Sequence, residues 1–214
     1  MGVITISRKM GSAGSYIGRK AAEKLGLTYV DKHLIAKIMR ENGFSQFEKV
    51  YNNKPNFWEK FDEQRLSTIE FLMQTIRAVG QVDNGVIVGR GGFGIFEDFS
   101  DVMNIRIKAP FCLRVERQMK EHGMTKNEAE AHVQKNDRVR RAFIESDFRL
   151  NYTNTQDFDL VLDTGIILPE QAIEWVSAAY SNLMEKGRCG TDKKVSDIKI
   201  DSVMCEHVKK MLSR

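Results

Sequence analysis

Three stretches of the chain carry residue types that could act on an anion. The first is Ser7-Arg8-Lys9-Met10-Gly11-Ser12-Ala13-Gly14-Ser15, between the β-branched run Val3 to Ser7 and a segment with Ile17, Ala21, Ala22 and Leu25 at helical spacing. A glycine-bearing turn from a strand into a helix aims backbone N–H groups at one point, where the helix dipole also favours negative charge. That is the physics of a phosphate cradle; without a ligand the same turn is an ordinary βα connection. The pattern G-x-x-x-x-G-K-[ST] is not met. With Ser15 in the last slot, Gly14 stands where the lysine belongs, Ala13 replaces the second glycine and Arg8 the first. The second stretch is Arg90, directly after the apolar run Val86-Ile87-Val88 and flanked by Gly89 and Gly91, a place with few structural uses for an arginine. The third is Lys135-Asn136-Asp137-Arg138-Val139-Arg140-Arg141, which is either an anion site or a solvated helix face. On a helix Arg138 and Arg141, three apart, share a face, and Arg140 points elsewhere. Arginine forks, always charged, can pair two oxygens of such an anion at once.

The elements that must position these residues alternate along the chain. Short apolar runs predict strands at Val3 to Ser7, Leu27 to Val30, Val86 to Val88, Met103 to Ile107 and Leu160 to Leu162, the last ending at Asp163. Helical patterns follow Ser15, run through Leu34, Ile35 and Ile38, and cover about Asp62 to Gln81, Pro110 to Glu121, Lys126 to Asn151 and Pro169 to Glu185. Strands alternating with helices predict right-handed βαβ units and a parallel sheet with helices on both faces, and ligands bind beyond the carboxyl ends of such strands. The stretch Phe44 to Phe61 is irregular and aromatic; Phe57, Trp58 and Phe61 read as a packed aromatic cluster. Gly187 to Lys194 reads as a polar linker, and Ile198 to Leu212 as a terminal helix without a legible role.

Composition narrows the class. A chain of 214 residues with 42% hydrophobic and 29% charged side chains is globular, one domain with room for an insertion or tail. The net charge of +4 comes without a long basic stripe interleaved with aromatics, which argues against a nucleic-acid partner. No apolar run reaches membrane-spanning length and Met1 opens no signal-peptide pattern, so no membrane partner is expected. Cys112, Cys189 and Cys205 are odd in number, without metal-ligand spacing, and fit free thiols in a reducing compartment. A cytoplasmic location is the expectation. The histidines His33, His122, His132 and His207 are scattered, and no Ser-His-Asp or Cys-His arrangement can be argued.

In order along the chain, Ile6-Ser7-Arg8, Gly11-Ser12-Ala13-Gly14, Ile17-Gly18-Arg19-Lys20, Leu25-Gly26, Asp31-Lys32, Val86-Ile87-Val88-Gly89-Arg90, Asn136 to Arg141 and Leu160-Val161-Leu162-Asp163-Thr164 resemble the cytidylate kinase-like family, a branch of the nucleoside monophosphate kinases. The resemblance covers roughly residues 1 to 185. It implies an α/β P-loop fold: a three-layer sandwich on a five-stranded parallel sheet. A helical substrate-side insertion would fall at about 44–82 and a helical lid at about 126–151, with a short C-terminal extension at 187–214.

The family's roles fall on particular residues here. Arg8, Gly11, Ser12, Ala13, Gly14 and Ser15 would form the loop on the phosphates of ATP, with Ser15 also near Mg²⁺. Asp31, Lys37 and Arg90 would hold the acceptor, the last two on its phosphate, and Asp137 and Asp163 match acidic positions associated with a pyrimidine acceptor. Arg138, Arg140 and Arg141 would close over the transferring group, and Arg8, Lys9 or Arg19 could stand in for the absent loop lysine. The implied activity is transfer of a phosphoryl group from ATP to a nucleoside monophosphate, CMP- or dCMP-like, or to a similar small acceptor. Departures leave the acceptor open: Val88 replaces an aspartate and Lys32 a serine of typical cytidylate kinases. Gly14 at the lysine slot keeps a second reading alive, a catalytically degenerate nucleotide-binding protein acting as a sensor.

Overall fold

The computed structural model describes residues 2–45, 47 and 63–213. The aromatic trio Phe57, Trp58 and Phe61 lies outside the described residues. Five parallel strands form one sheet in the order β2-β3-β1-β4-β5: β1 (Val3–Arg8), β2 (Thr28–Val30), β3 (Gly85–Val88), β4 (Val102–Lys108) and β5 (Leu160–Asp163). Central β1 sets Val3 to Ile6 against Gly85 to Val88 on one side and Val3 to Arg8 against Val102 to Ile107 on the other. These β-branched runs suit a strand buried on both faces.

The helices are α1 (Gly14–Leu25), α2 (Lys32–Glu41), α3 (Glu63–Val82), the one-turn α4 (Gly92–Ile95), α5 (Phe111–His122), α6 (Lys126–Asp147), α7 (Pro169–Lys186) and α8 (Ser202–Leu212), with a 3₁₀ turn at Val195–Asp197. On one sheet face Ile4, Ile6, Val86 and Ile105 pack with Ile17 and Ala21 of α1 and Val176 of α7. On the other, Val3, Ile87 and Val102 pack with Ile35 of α2, Leu72 and Ile76 of α3, and Phe143 of α6. The strand alternation therefore feeds two apolar layers, with the site at their common upper rim.

Two helix ends matter for that rim. Thr125 and Glu128 close a capping box at the start of α6, which satisfies donors that the first turn leaves bare. The far end comes four residues before the expected Asn151, because Arg149 takes a left-handed φ of 56° and turns the chain back. Phe148 then packs edge-on against Phe143, ring centroids 5.3 Å apart.

The C-terminal segment is tied to the domain rather than tethered beside it. The Ser100 backbone N–H and hydroxyl both donate to the Lys193 carbonyl, the Asp101 carboxylate accepts the Val195 N–H, and Arg188 forms a fork with Asp159. That carboxylate is the main reason the Arg188 guanidinium is held above its ordinary pKa. Val195, Val208 and Met211 enter the same core as α3. No helix of the described residues is long and apolar enough to cross a membrane.

Candidate active site

A cleft of about 480 Å³ opens at the carboxyl end of β1, floored by residues Arg8 to Tyr16 and walled by α5 and by Arg140 of α6. The backbone N–H groups of Gly11, Ala13, Gly14 and Ser15 find no acceptor among the described residues. Arg8, Lys9, Arg117, Lys120 and Arg140 line the cleft against one acid, Glu121. Unpaired N–H groups at the start of a twelve-residue helix, under a cationic rim, suit a chain of phosphates.

The loop keeps its shape because its carbonyls are bonded from behind. The Ser12 hydroxyl, wholly buried, donates to the carbonyls of Lys9 (2.8 Å) and Ile107 (3.2 Å), so Ser12 offers a ligand only its backbone. Arg117 donates to the Gly11 carbonyl (3.2 Å) and the Thr164 hydroxyl (2.8 Å), and that hydroxyl donates to the Ser12 carbonyl (3.0 Å). Arg114, 4% exposed, donates to the Met10 carbonyl and pairs with Asp137 at 2.7 Å; the other Asp137 oxygen accepts the Met10 N–H at 3.0 Å. Gly11 is required there, since its φ is 75° and a Cβ would lie 2.7 Å from the Arg114 carbonyl. Ala13, at the second-glycine slot, holds a left-handed φ of 61° that glycine would adopt without strain.

A second, smaller pocket of about 20 Å³ adjoins the cleft, with room for about one water. It is bounded by Arg8, the turn Gly89-Arg90-Gly91, Arg140, Phe143 and Tyr152. Arg90 is 6% exposed, takes a φ of 56°, and stacks over the Phe47 ring at 4.9 Å. Arg8 leans across to this turn so closely that a Cβ on Gly89 would meet its Nη1. Arg140 donates to the Arg8 carbonyl at 3.2 Å and lines both cavities, as Arg8 does.

The structure brings together only part of the expected set. Of the three arginines on α6, only Arg140 reaches the loop; Arg138 is exposed, bonding the Gln134 carbonyl, and Arg141 is exposed, paired with Glu145. The shared face of Arg138 and Arg141 is thus the solvated one. Lys9 and Ser15 border the cleft, Ser15 with its side chain at the helix start. Arg19 stacks on Tyr29 at 5.1 Å, which leaves Arg8 and Lys9 as the basic residues at the loop itself.

The acidic residues expected on the acceptor do not converge. Asp31 caps α2 by accepting the His33 and Leu34 N–H groups, while Asp163, at the opposite sheet edge, accepts the Gly165 N–H and faces Lys108 at 3.7 Å. Asp137 is engaged by Arg114 and the loop, and Lys37 lies exposed on α2. Among the described residues no group of three His, Cys, Asp or Glu side chains could hold a metal ion.

Arg106, Arg114, Arg117 and Tyr152 are not singled out as site residues by sequence reasoning. A signal for Arg106 is present: in β4, Asn104 and Arg106 alternate with Met103, Ile105 and Ile107, so two polar side chains share one face of a buried strand. Arg114 and Arg117 are three apart on α5, and both reach the loop.

Comparison with known proteins bears on the family and the fold. The profile of the cytidylate kinase-like family matches residues 3–166. The cytidylate kinase of Pyrococcus horikoshii is 26% identical over 194 residues, covering 89% of this chain and 94% of the relative. That of Methanopyrus kandleri is 25% identical over 194 residues, covering 86% and 95%. Among solved structures, an uncharacterized protein from Eubacterium ventriosum aligns with a TM-score of 0.70 at 18% identity over 85% of this chain and 98% of that one. A sugar kinase from Janibacter sp. gives 0.50 at 16% identity over 86% and 95%. The structural likenesses speak to the α/β kinase fold.

Proposed function

The chain belongs to the cytidylate kinase-like family, and within that family of nucleotide and small-molecule kinases we propose that it moves the γ-phosphoryl group of ATP to a nucleoside monophosphate, CMP- or dCMP-like, or to a similar small phosphorylated acceptor. The observation that carries this reading is the pair Arg8 and Arg140, each of which lines both the phosphate-sized cleft and the Arg90 pocket. A donor cleft that meets an acceptor-side pocket at shared guanidinium groups suits in-line transfer, the smaller pocket admitting one oxygen of the acceptor phosphate.

ATP supplies the phosphoryl group, and Mg²⁺ offsets charge on its phosphates. The N–H groups of Gly11, Ala13, Gly14 and Ser15 suit the donor phosphates, and the Ser15 hydroxyl can give the ion one ligand. Magnesium keeps waters and substrate oxygens for the rest of its shell. Arg90 would hold the acceptor phosphate, and Arg8 and Arg140 would bear on the group in transit.

Labelled phosphate from γ-labelled ATP with Mg²⁺, offered to a pool of ribo- and deoxyribonucleoside monophosphates, tests the reading. A labelled diphosphate identifies both the activity and the acceptor base. Arg90→Ala is expected to abolish that product while the far-ultraviolet circular dichroism stays native; full activity in this variant would remove Arg90 from the reading. A second reading is favoured by Gly14 at the lysine slot: saturable nucleotide binding without turnover, as in a sensor.

A further inference from the structure

Arg106 is 5% exposed, yet among the described residues it meets no carboxylate. Its Nη1 donates to the Ser7 hydroxyl at 3.3 Å, and its guanidinium carbon lies 4.3 Å from the centroid of the Tyr152 ring and 5.4 Å from that of Phe158. Taking a cation out of water without an anion beside it is expensive. The aromatic faces offset part of that cost and fix the guanidinium in place.

Tyr152 completes an odd pair. It is 6% exposed and borders the Arg90 pocket, but its hydroxyl is buried and finds no hydrogen-bond partner among the described residues. A buried hydroxyl left unpaired costs about 1–3 kcal/mol, and buried tyrosines ordinarily find a partner. Burial pushes this phenol above its usual pKa, against the pull of Arg106, Arg140 and Arg8 and with a push from Asp137. The hydroxyl therefore stays protonated at neutral pH and lies within the field of three guanidinium groups. A neutral donor surrounded by cations suits an anionic oxygen.

We propose that the Tyr152 hydroxyl binds the acceptor, donating a hydrogen bond to the one anionic phosphate oxygen that the Arg90 pocket has room for, and that Arg106 is the positioning residue that holds its ring. The choice of a phosphate monoester as ligand rests on the phosphoryl-transfer reading; the demand for an anion rests on Arg106 and Tyr152 alone.

Tyr152→Phe keeps the ring over Arg106 and deletes only the unpaired hydroxyl. The free variant is expected to melt at the wild-type temperature or higher, since a buried unsatisfied group is gone. Inorganic phosphate, titrated by calorimetry, is expected to bind about tenfold more weakly than to wild type, the size of one hydrogen bond to a charged oxygen. The KM for the acceptor should rise by a similar factor, with the KM for ATP unchanged. Phosphate held by the loop after β1 alone would be indifferent to Tyr152.

A lowered melting temperature would assign the hydroxyl a structural partner and overturn the proposal, as would unchanged phosphate binding and acceptor KM. If no nucleotide is phosphorylated but Tyr152→Phe still weakens phosphate binding tenfold, the kinase reading falls and this inference stands. If turnover is found and the variant matches wild type in phosphate binding and acceptor KM, the inference falls and the kinase reading stands.

Discussion

At Gly14 the chain lacks the lysine that a phosphate loop normally carries, and the packing explains why it cannot simply be put back. A Cβ at this position would lie 2.6 Å from the Arg8 Cβ, the stem of a side chain that runs on to the Gly89 turn. Glycine here and arginine at position 8 are one steric solution: the space that a residue-14 side chain would take belongs to Arg8. Gly14→Lys is therefore expected to lose stability by about 2 kcal/mol through overpacking. For a chain of this length that is a drop of roughly 4–8 °C in melting temperature. No gain in phosphoryl transfer should accompany it. A Gly14→Lys protein that melts like wild type and turns over faster would show that the lysine slot is vacant and that Arg8 does not occupy its role.

The elements around the site are joined by ion pairs that no local pattern announces. Arg65 of α3 grips Asp147, the last residue of α6, through Nε to Oδ1 (3.0 Å) and Nη2 to both oxygens (2.8 and 2.7 Å). Both side chains are less than a tenth exposed, so the fork is shielded from solvent and salt. It fixes the end of the helix whose middle presents Arg140. Truncating either partner breaks a buried ion pair, at about 3–5 kcal/mol. A double-mutant cycle with Arg65→Ala and Asp147→Ala should show the double variant well short of the summed single losses, measured by urea unfolding. Additive losses would mean the two helices are held together some other way.

These long-range pairs also mark where sequence reading stops. The five strands were legible because β-branched runs bounded by glycine and polar residues leave little else for the chain to do, and α1 because its apolar spacing ends at Gly26. The turn α4 was not, since Gly91-Gly92-Phe93-Gly94 has no period to read. Arg90 stood out because strand and glycines isolate it. Asp137 shows the opposite case: its family position suggests an acceptor contact, but its role here depends on Arg114, twenty-three residues away, turning its guanidinium to the same loop. Family position likewise singled out Arg138 and Arg141, whose face is decided only when α6 settles on the cleft through Arg140.

At the scale of the whole molecule, the question is whether the segment after α7 is an arm for a partner or a part of the fold. Its composition suggests a linker and a terminal helix without a legible role, and the structure turns Val195, Val208 and Met211 inward while Val203 stays exposed. Val208 is fully buried against the α3 side of the core, Met211 is 3% exposed, and Val195 sits beside Gly80, where an added Cβ would crowd Phe96 at 2.7 Å. The same α3 carries Arg65, so the tail braces the helix that anchors the end of α6. Val208→Asp places a carboxylate in that apolar layer, a change that ranks among the most costly single substitutions, above about 4 kcal/mol. Set against a typical total of about 5–15 kcal/mol, this should lower the melting temperature by at least 8 °C or abolish cooperative unfolding. The exposed neighbour tests the alternative: Lys209→Glu alters the tail's surface and leaves its core contacts alone. A partner-recruiting arm predicts unchanged melting for Val208→Asp, whereas an integral element predicts that Val208→Asp fails and Lys209→Glu melts within about 0.5 kcal/mol of wild type. Differential scanning calorimetry on the two full-length variants separates them.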